Sequence, residues 1–153
     1  RHRMALVTVT YVLGSSDFED NTLPTKAEVL SKNSKATFGT EGTMTGMSGG
    51  EKWVTACLRE GNKFSAIVTP GTYKRDEEFL KLTVNGKEYK VAMMMEEELE
   101  EGHEYPYTLN IGKNKAYITG LNCDNLPGWT QEENLQQQTE YISYCHQCHP
   151  VSH

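Results

Sequence analysis

Little in this chain points to chemistry, and several absences narrow what it can be. No apolar run approaches the ~20 residues that a helix needs to cross a bilayer. No basic stripe interleaved with aromatics occurs, and the 153 residues carry a net charge of −6. Phosphate binding requires clustered Lys and Arg, so this balance argues against a nucleic-acid partner. Four cysteines are too few for a disulfide framework at this length. The residues begin Arg1-His2-Arg3 and pass straight into an apolar alternation with no signal-peptide pattern, which says little about compartment. There is no long amphipathic helix pattern, no internal repeat and no catalytic constellation, so no cofactor is expected and the chain reads as a non-enzyme. An apolar content of 37% and a charged content of 24% fit one folded domain, large enough to bury a core without staples.

What is present is alternation. The stretch from Lys63 to Trp129 organises the chain, and Asn85-Gly86 sits at its centre between two period-2 apolar runs. A tight two-residue hairpin loop needs φ > 0 at both central positions, which Asn-Gly supplies. The loop fixes a register: Val84 opposite Lys87, Leu82 opposite Tyr89, Leu80 opposite Val91. Leu80, Leu82, Val84, Tyr89, Val91 and Met93 then share one face, and Lys81, Thr83, Glu88 and Lys90 the other. A slip of one residue would drive Lys and Glu into the core.

Other strands follow the same logic. Ala5, Val7, Val9, Tyr11 and Leu13 alternate with Thr8 and Thr10 as a half-buried first strand. Gly14 to Pro24 reads as loop, Ala27 to Ser31 as a short strand, and Thr37 to Thr45 as one irregular edge strand. Trp53 to Leu58 and Phe64 to Thr69 are further strands, the latter stopped by Pro70. The acidic run Glu96 to Glu101 reads as a solvated connection rather than a cation site. Tyr105, Tyr107, Leu109 and Ile111 alternate again, and a turn leads on to Leu121. The sum is an all-β antiparallel sandwich of about seven to eight strands over residues 1–129, with an irregular C-terminal tail over 130–153. In that tail Thr130-Gln-Glu-Glu133 fits a capping box for a short helix to Gln138, and Tyr141 to Tyr144 returns to a strand-like pattern.

Four motifs have chemical readings to weigh. Cys145-x-x-Cys148-His149 fits c-type haem attachment, but little chain remains after it to enclose a haem. A zinc clip from Cys145, Cys148, His149 and His153 lacks the usual second ligand pair at helical spacing. No metal is therefore assigned, with Cys145, Cys148 and His149 the weak candidates; a local disulfide or a mobile end explains them as well. Gly46-Met-Ser48-Gly-Gly50 matches the nucleophile-elbow spacing but has a strand after it, where the elbow needs a helix, so it reads as a glycine turn. Cys57 and Cys123 read as buried small apolar residues, less often as a disulfide. His2 and His103 read as surface or edge residues.

The chain also resembles the C-terminal half of the fimbrillin-like, or Mfa-like, proteins of Bacteroidetes, the subunits of type V pili. The resemblance lies in Ala66-Ile-Val-Thr-Pro70, in Phe79-Leu-Lys-Leu-Thr-Val-Asn-Gly-Lys-Glu-Tyr89 and in Leu99-Glu-Glu-Gly102 running into Tyr105-x-Tyr107-x-Leu109. Ile118 to Trp129 and the opening His2-Arg-Met-Ala-Leu-Val-Thr-Val-Thr10 fit as well, so it covers about residues 1–129. It implies a transthyretin-like sandwich, exported as a lipoprotein and displayed at the cell surface or outer membrane in fimbriae. The partners it implies are other pilin subunits, joined by a strand that one subunit donates to its neighbour, and surface ligands of host or bacterium. Full pilins carry two such domains where this chain carries one, no lipobox cysteine is present, and the tail from Thr130 runs past the usual end. Within that frame Tyr141, Ile142 and Tyr144 are the strand-donation candidates, and Ala5, Val7, Val9 and Tyr11 the groove candidates. Two alternatives stay open: a glycan- or protein-binding sandwich module using aromatics such as Trp53 and Tyr105, and a metal or haem protein using the tail.

Overall fold

The Asn85-Gly86 turn has both residues in the left-handed region, φ 52° and 80°. It joins β9 (Glu78–Val84) to β10 (Lys87–Ala92), and the pairing is Val84 with Lys87, Leu82 with Tyr89 and Leu80 with Val91. The register expected from the turn chemistry is the observed one. These strands belong to a computed structural model that describes residues 4–119. The capping-box segment 131–138, Trp129 and Cys123 lie outside the described residues.

In chain order the remaining strands are β1 (Ala5–Leu13), β2 (Lys26–Ser31), β3 (Lys35–Phe38), β4 (Met44–Ser48), β5 (Lys52–Thr55) and β6 (Cys57–Arg59). They continue with β7 (Lys63–Val68), β8 (Gly71–Tyr73), β11 (Glu97–Leu99), β12 (Glu104–Ile111) and β13 (Ala116–Thr119). A five-stranded sheet has the order β13-β12-β1-β7-β6 and a four-stranded sheet the order β10-β9-β2-β5. Two ribbons, β11-β8 and β3-β4, complete the all-β architecture.

The two sheets share one core. From β1 come Ala5, Val7, Val9 and Tyr11; from β9 come Leu80, Leu82 and Val84; all are buried. Each Val or Leu among them contributes about 1.5–3 kcal/mol on burial. At one end Phe79 packs edge-on between Tyr73 and Tyr107, with ring centroids 4.9 and 5.1 Å away. The Tyr73 hydroxyl donates to the Leu30 carbonyl at 2.5 Å, so its polar tip is satisfied inside the core.

Four sequence expectations need correction. The sandwich is not wholly antiparallel, because β1 pairs with β12 in parallel, Leu6 with Glu104 through Leu13 with Ile111. Parallel neighbours require a long crossover, and here almost the whole domain lies between them. The strands number thirteen among the described residues, nine of them in the two main sheets, because breaks divide two segments that alternation reads as continuous and the short β8 and β11 form a ribbon of their own. Thr37 to Thr45 is a hairpin rather than one strand: Gly42 at φ 80° turns the chain, and Gly39 N–H donates to the Thr43 carbonyl. Trp53 to Leu58 is cut at Ala56, where the chain leaves the four-stranded sheet for the five-stranded one. Ala56 N–H donates to the Ala27 carbonyl at 2.8 Å and anchors that crossing.

Candidate functional site: the sheet edges and the seam between them

A sandwich of two open sheets has four edge strands, here β13, β6, β10 and β5. On one side β5 runs directly through Ala56 into β6, so covalent continuity closes that side. On the other side β10 and β13 face each other across a seam. At one end of it the Tyr89 hydroxyl and the Lys87 ammonium both donate to the Lys113 carbonyl, at 3.1 and 2.8 Å. β10 is a guarded edge: Lys87, Glu88 and Lys90 are exposed along it, and a bulge between Val91 and Ala92 interrupts its pairing. Charge and bulges are the usual devices against unwanted strand addition. β13 reads Ala-Tyr-Ile-Thr and has neither.

The expected groove strand is not an edge. β1 is hydrogen-bonded on both sides, to β12 and to β7, and Ala5, Val7, Val9 and Tyr11 are buried in the core. These four line the apolar layer between the sheets rather than an open slot. Tyr141, Ile142 and Tyr144 lie outside the described residues, as do Cys145, Cys148 and His149. Among the described residues no group of three or more His, Cys, Asp or Glu is placed to hold a metal ion.

The other motifs find structural explanations. Ser48 ends β4 as an exposed residue, and Gly49 and Gly50 follow with φ 92° and 72°. A Cβ on Gly49 would fall 2.0 Å from the Ser34 hydroxyl oxygen, so this is a turn that needs glycine and not a strand-to-helix elbow. His103 accompanies the acidic run, its Nδ1 2.8 Å from the Glu101 carbonyl oxygen. Within that run Glu97 to Leu99 forms β11 against β8, and Leu99 is buried, so the segment is more ordered than a bare solvated connection. Burial pushes the Glu97 carboxyl up. Cys57 is buried in β6 and disulfide-bonded, the less expected of its two readings. The aromatics that a sugar platform would use are already engaged. The Lys81 ammonium lies 4.2 Å from the Trp53 ring centroid, and the Tyr105 hydroxyl accepts the Glu100 N–H at 2.7 Å. A recess of about 440 Å³ beside β6 is lined by Tyr11, Leu23, Pro24 and Leu58 with Arg59 and Glu60, and these lining residues include no nucleophile paired with a base.

One group escaped sequence reasoning. Glu104 starts β12 on the face opposite Tyr105 and Tyr107, a position that alternation assigns to solvent, yet it is buried. The Thr8 hydroxyl donates to its Oε2 at 2.9 Å, and Oε1 has no partner. Burial pushes the carboxyl up to about 7, against the opposing pull of the Thr8 hydrogen bond and the Lys63 charge. Tyr107, on the core side, also has an unpartnered hydroxyl, and burial raises its pKa strongly. Both are costs that the packing around them offsets.

Two packed sheets with buried apolar strands and free edges define the class: a β-sandwich domain with no assembled catalytic or metal centre among its described residues. The chain belongs to the fimbrillin-like family, whose model matches residues 1–124. Two solved structures share the fold. A candidate cell adhesion protein from Bacteroides uniformis superimposes with a TM-score of 0.60 at 20% identity, over 76% of this chain and 48% of its own. A second candidate cell adhesion protein, from Bacteroides ovatus, gives 0.51 at 19% identity, over 76% of this chain and 43% of its own. The chain thus spans about half the length of the structures it resembles. No curated protein matches it.

Proposed function

We propose that this chain is a non-enzymatic structural or adhesive subunit of cell-surface fimbriae, and that subunits join by donating a strand to a neighbour. The observation that carries the reading is the fimbrillin-like match across residues 1–124, which takes in every described strand. Physically, a donated strand gains main-chain hydrogen bonds along a sheet edge and buries alternate side chains, which is how β-addition obtains both affinity and register. Tyr141, Ile142 and Tyr144 are the proposed donor residues; Ala5, Val7, Val9 and Tyr11 belong to the apolar layer between the sheets, to which a donor would add at an edge and not beside β1. The partners are other pilin subunits, with host or bacterial surface ligands as adhesive targets.

Export to the outer surface belongs to this reading. The disulfide at Cys57 supports it, because such bonds persist in oxidising compartments. Immunogold labelling of intact cells that produce the protein tests it. Labelled filaments at the surface are expected; antigen reached only after lysis would refute it.

A further inference from the structure

We infer that the outward face of the five-stranded sheet is a docking surface for the chain's own residues 120–153, pinned there by a disulfide from Cys57. This goes beyond the fimbrial reading. It concerns contacts within one chain and stands whether or not Tyr141 to Tyr144 pairs with a neighbour.

The core lies on one face of this sheet, and β2, β5 and β10 of the four-stranded sheet approach it from that side. The opposite face carries Leu6, Thr8, Thr10 and Val12 of β1, Lys63 and Ser65 of β7, Glu104 of β12, and Cys57 and Arg59 of β6. A sheet face turned to water leaves side chains exposed, as Val12 is at 46%. Leu6, on the same face of the same strand, is 0% exposed, yet it stands outside the core cluster. Thr8, Ser65, Glu104 and Cys57 are buried with it. They are neighbours across the ladder: Leu6 pairs with Glu104, Thr8 with Ser65 and Ser65 with Cys57. The buried residues thus form one stripe across β12, β1, β7 and β6, the footprint of a segment that crosses the strands.

Cys57, at the end of the stripe, identifies that segment. It is disulfide-bonded, and the other cysteines, Cys123, Cys145 and Cys148, all follow Thr119. Whichever of them closes the bond, the tie runs from β6 to residues 120–153. Reach is sufficient. From β13 to β6 is roughly 19 Å, at ~4.8 Å per strand spacing. The bridged Cα atoms span ~5.5 Å of it, and about four extended residues at ~3.3 Å complete the crossing. Each of the three cysteines lies at or beyond that length from Thr119. Charge agrees as well: residues 120–153 include Asp124, Glu132, Glu133 and Glu140 but no Lys or Arg, and Lys63 and Arg59 flank the stripe. Glu104 Oε1 is buried without a partner, so its cover is apolar at that point, which Leu121, Leu126 or Trp129 can provide.

Three measurements on the full chain test the assignment. A tryptic digest of unreduced, thiol-blocked monomer should contain peptide 53–59 joined to the peptide that begins at Ala116. A free thiol at Cys57, or a bond that joins two copies, would overturn the proposal. Hydroxyl-radical footprinting should modify Leu6 at least about tenfold less than Val12; comparable modification would mean a bare face and would overturn it too. Finally, Leu6→Lys places a charge under the docked segment, and Val12→Lys places one on the exposed end of the same face. Chymotrypsin should cut within residues 120–153 at least about tenfold faster in Leu6→Lys than in wild type, with Val12→Lys unchanged. Equal rates in the two variants would overturn the docking. If Leu6→Lys is cut along its whole length, it has unfolded, and the linkage and the footprint decide.

Discussion

Glu104 makes a quantitative prediction whose sign is opposite to that of most carboxylates. An ion-paired acid has a depressed pKa and stabilises the fold as pH rises. Glu104 has its pKa raised, from 4.5 to about 7, chiefly because burial disfavours the charged form. Between those values the unfolded chain has lost this proton while the folded chain keeps it, so the folded state binds more protons and stability falls as pH rises. The stabilisation is complete below pH 4.5 and is lost as the pH climbs to about 7, above which the curve flattens. At about 1.4 kcal/mol per pK unit the loss is about 3 kcal/mol. Glu104→Gln removes the titration while keeping a neutral polar group of the same shape opposite the Thr8 hydroxyl. Urea unfolding of both proteins from pH 4.5 to 8.5 isolates the effect, since all other titrating groups are shared and cancel in the difference. The Gln variant should gain on the wild type by about 3 kcal/mol from the acidic to the neutral end, then run parallel to it. A difference that is flat across the whole range would mean that the carboxyl is hydrated, and the argument from burial would fail.

Two further predictions test packing and turn chemistry. Gly86→Ala keeps the hairpin sequence but forces a Cβ onto a residue at φ 80°; since nothing lies within 4 Å of that Cβ, the cost is purely conformational, about 1–2 kcal/mol, read as a modest drop in Tm. Phe79→Ala should cost about 3–5 kcal/mol, because the ring is fully buried between Tyr73 and Tyr107, and a urea midpoint shift below one third of that would show that the cluster collapses to fill the space.

The β9-β10 hairpin was fully legible because its information is local: two residues fix the turn, and the turn fixes every pair along the ladder. Alternation likewise placed Val7, Leu82 and Leu109 in the core. Sheet membership was not legible. Nothing around Ala56 marks the point where the chain passes from one sheet to the other, since both halves of Trp53 to Leu58 have strand character. The parallel pairing of β1 with β12 depends on which strands meet after most of the chain has folded, and no short-range pattern encodes it. Glu104 was invisible for a related reason: a polar residue at a polar position of an alternating strand reads as solvated, and only the assembled sheet shows it to be buried. At the candidate site, the groove strand picked by its apolar alternation proved to be a central strand. Strong alternation of buried residues marks interior strands, whereas among the described residues the edge strand β13 contributes only four.

The central claim is that copies of this chain join through a donated strand. Light scattering on the full chain and on a version ending after Trp129 tests it most directly. Strand donation predicts ladders or polymers from the full chain and monomers from the shortened one. Monomers from both, at concentrations well above those of ordinary association, would contradict it and leave the domain a passive module.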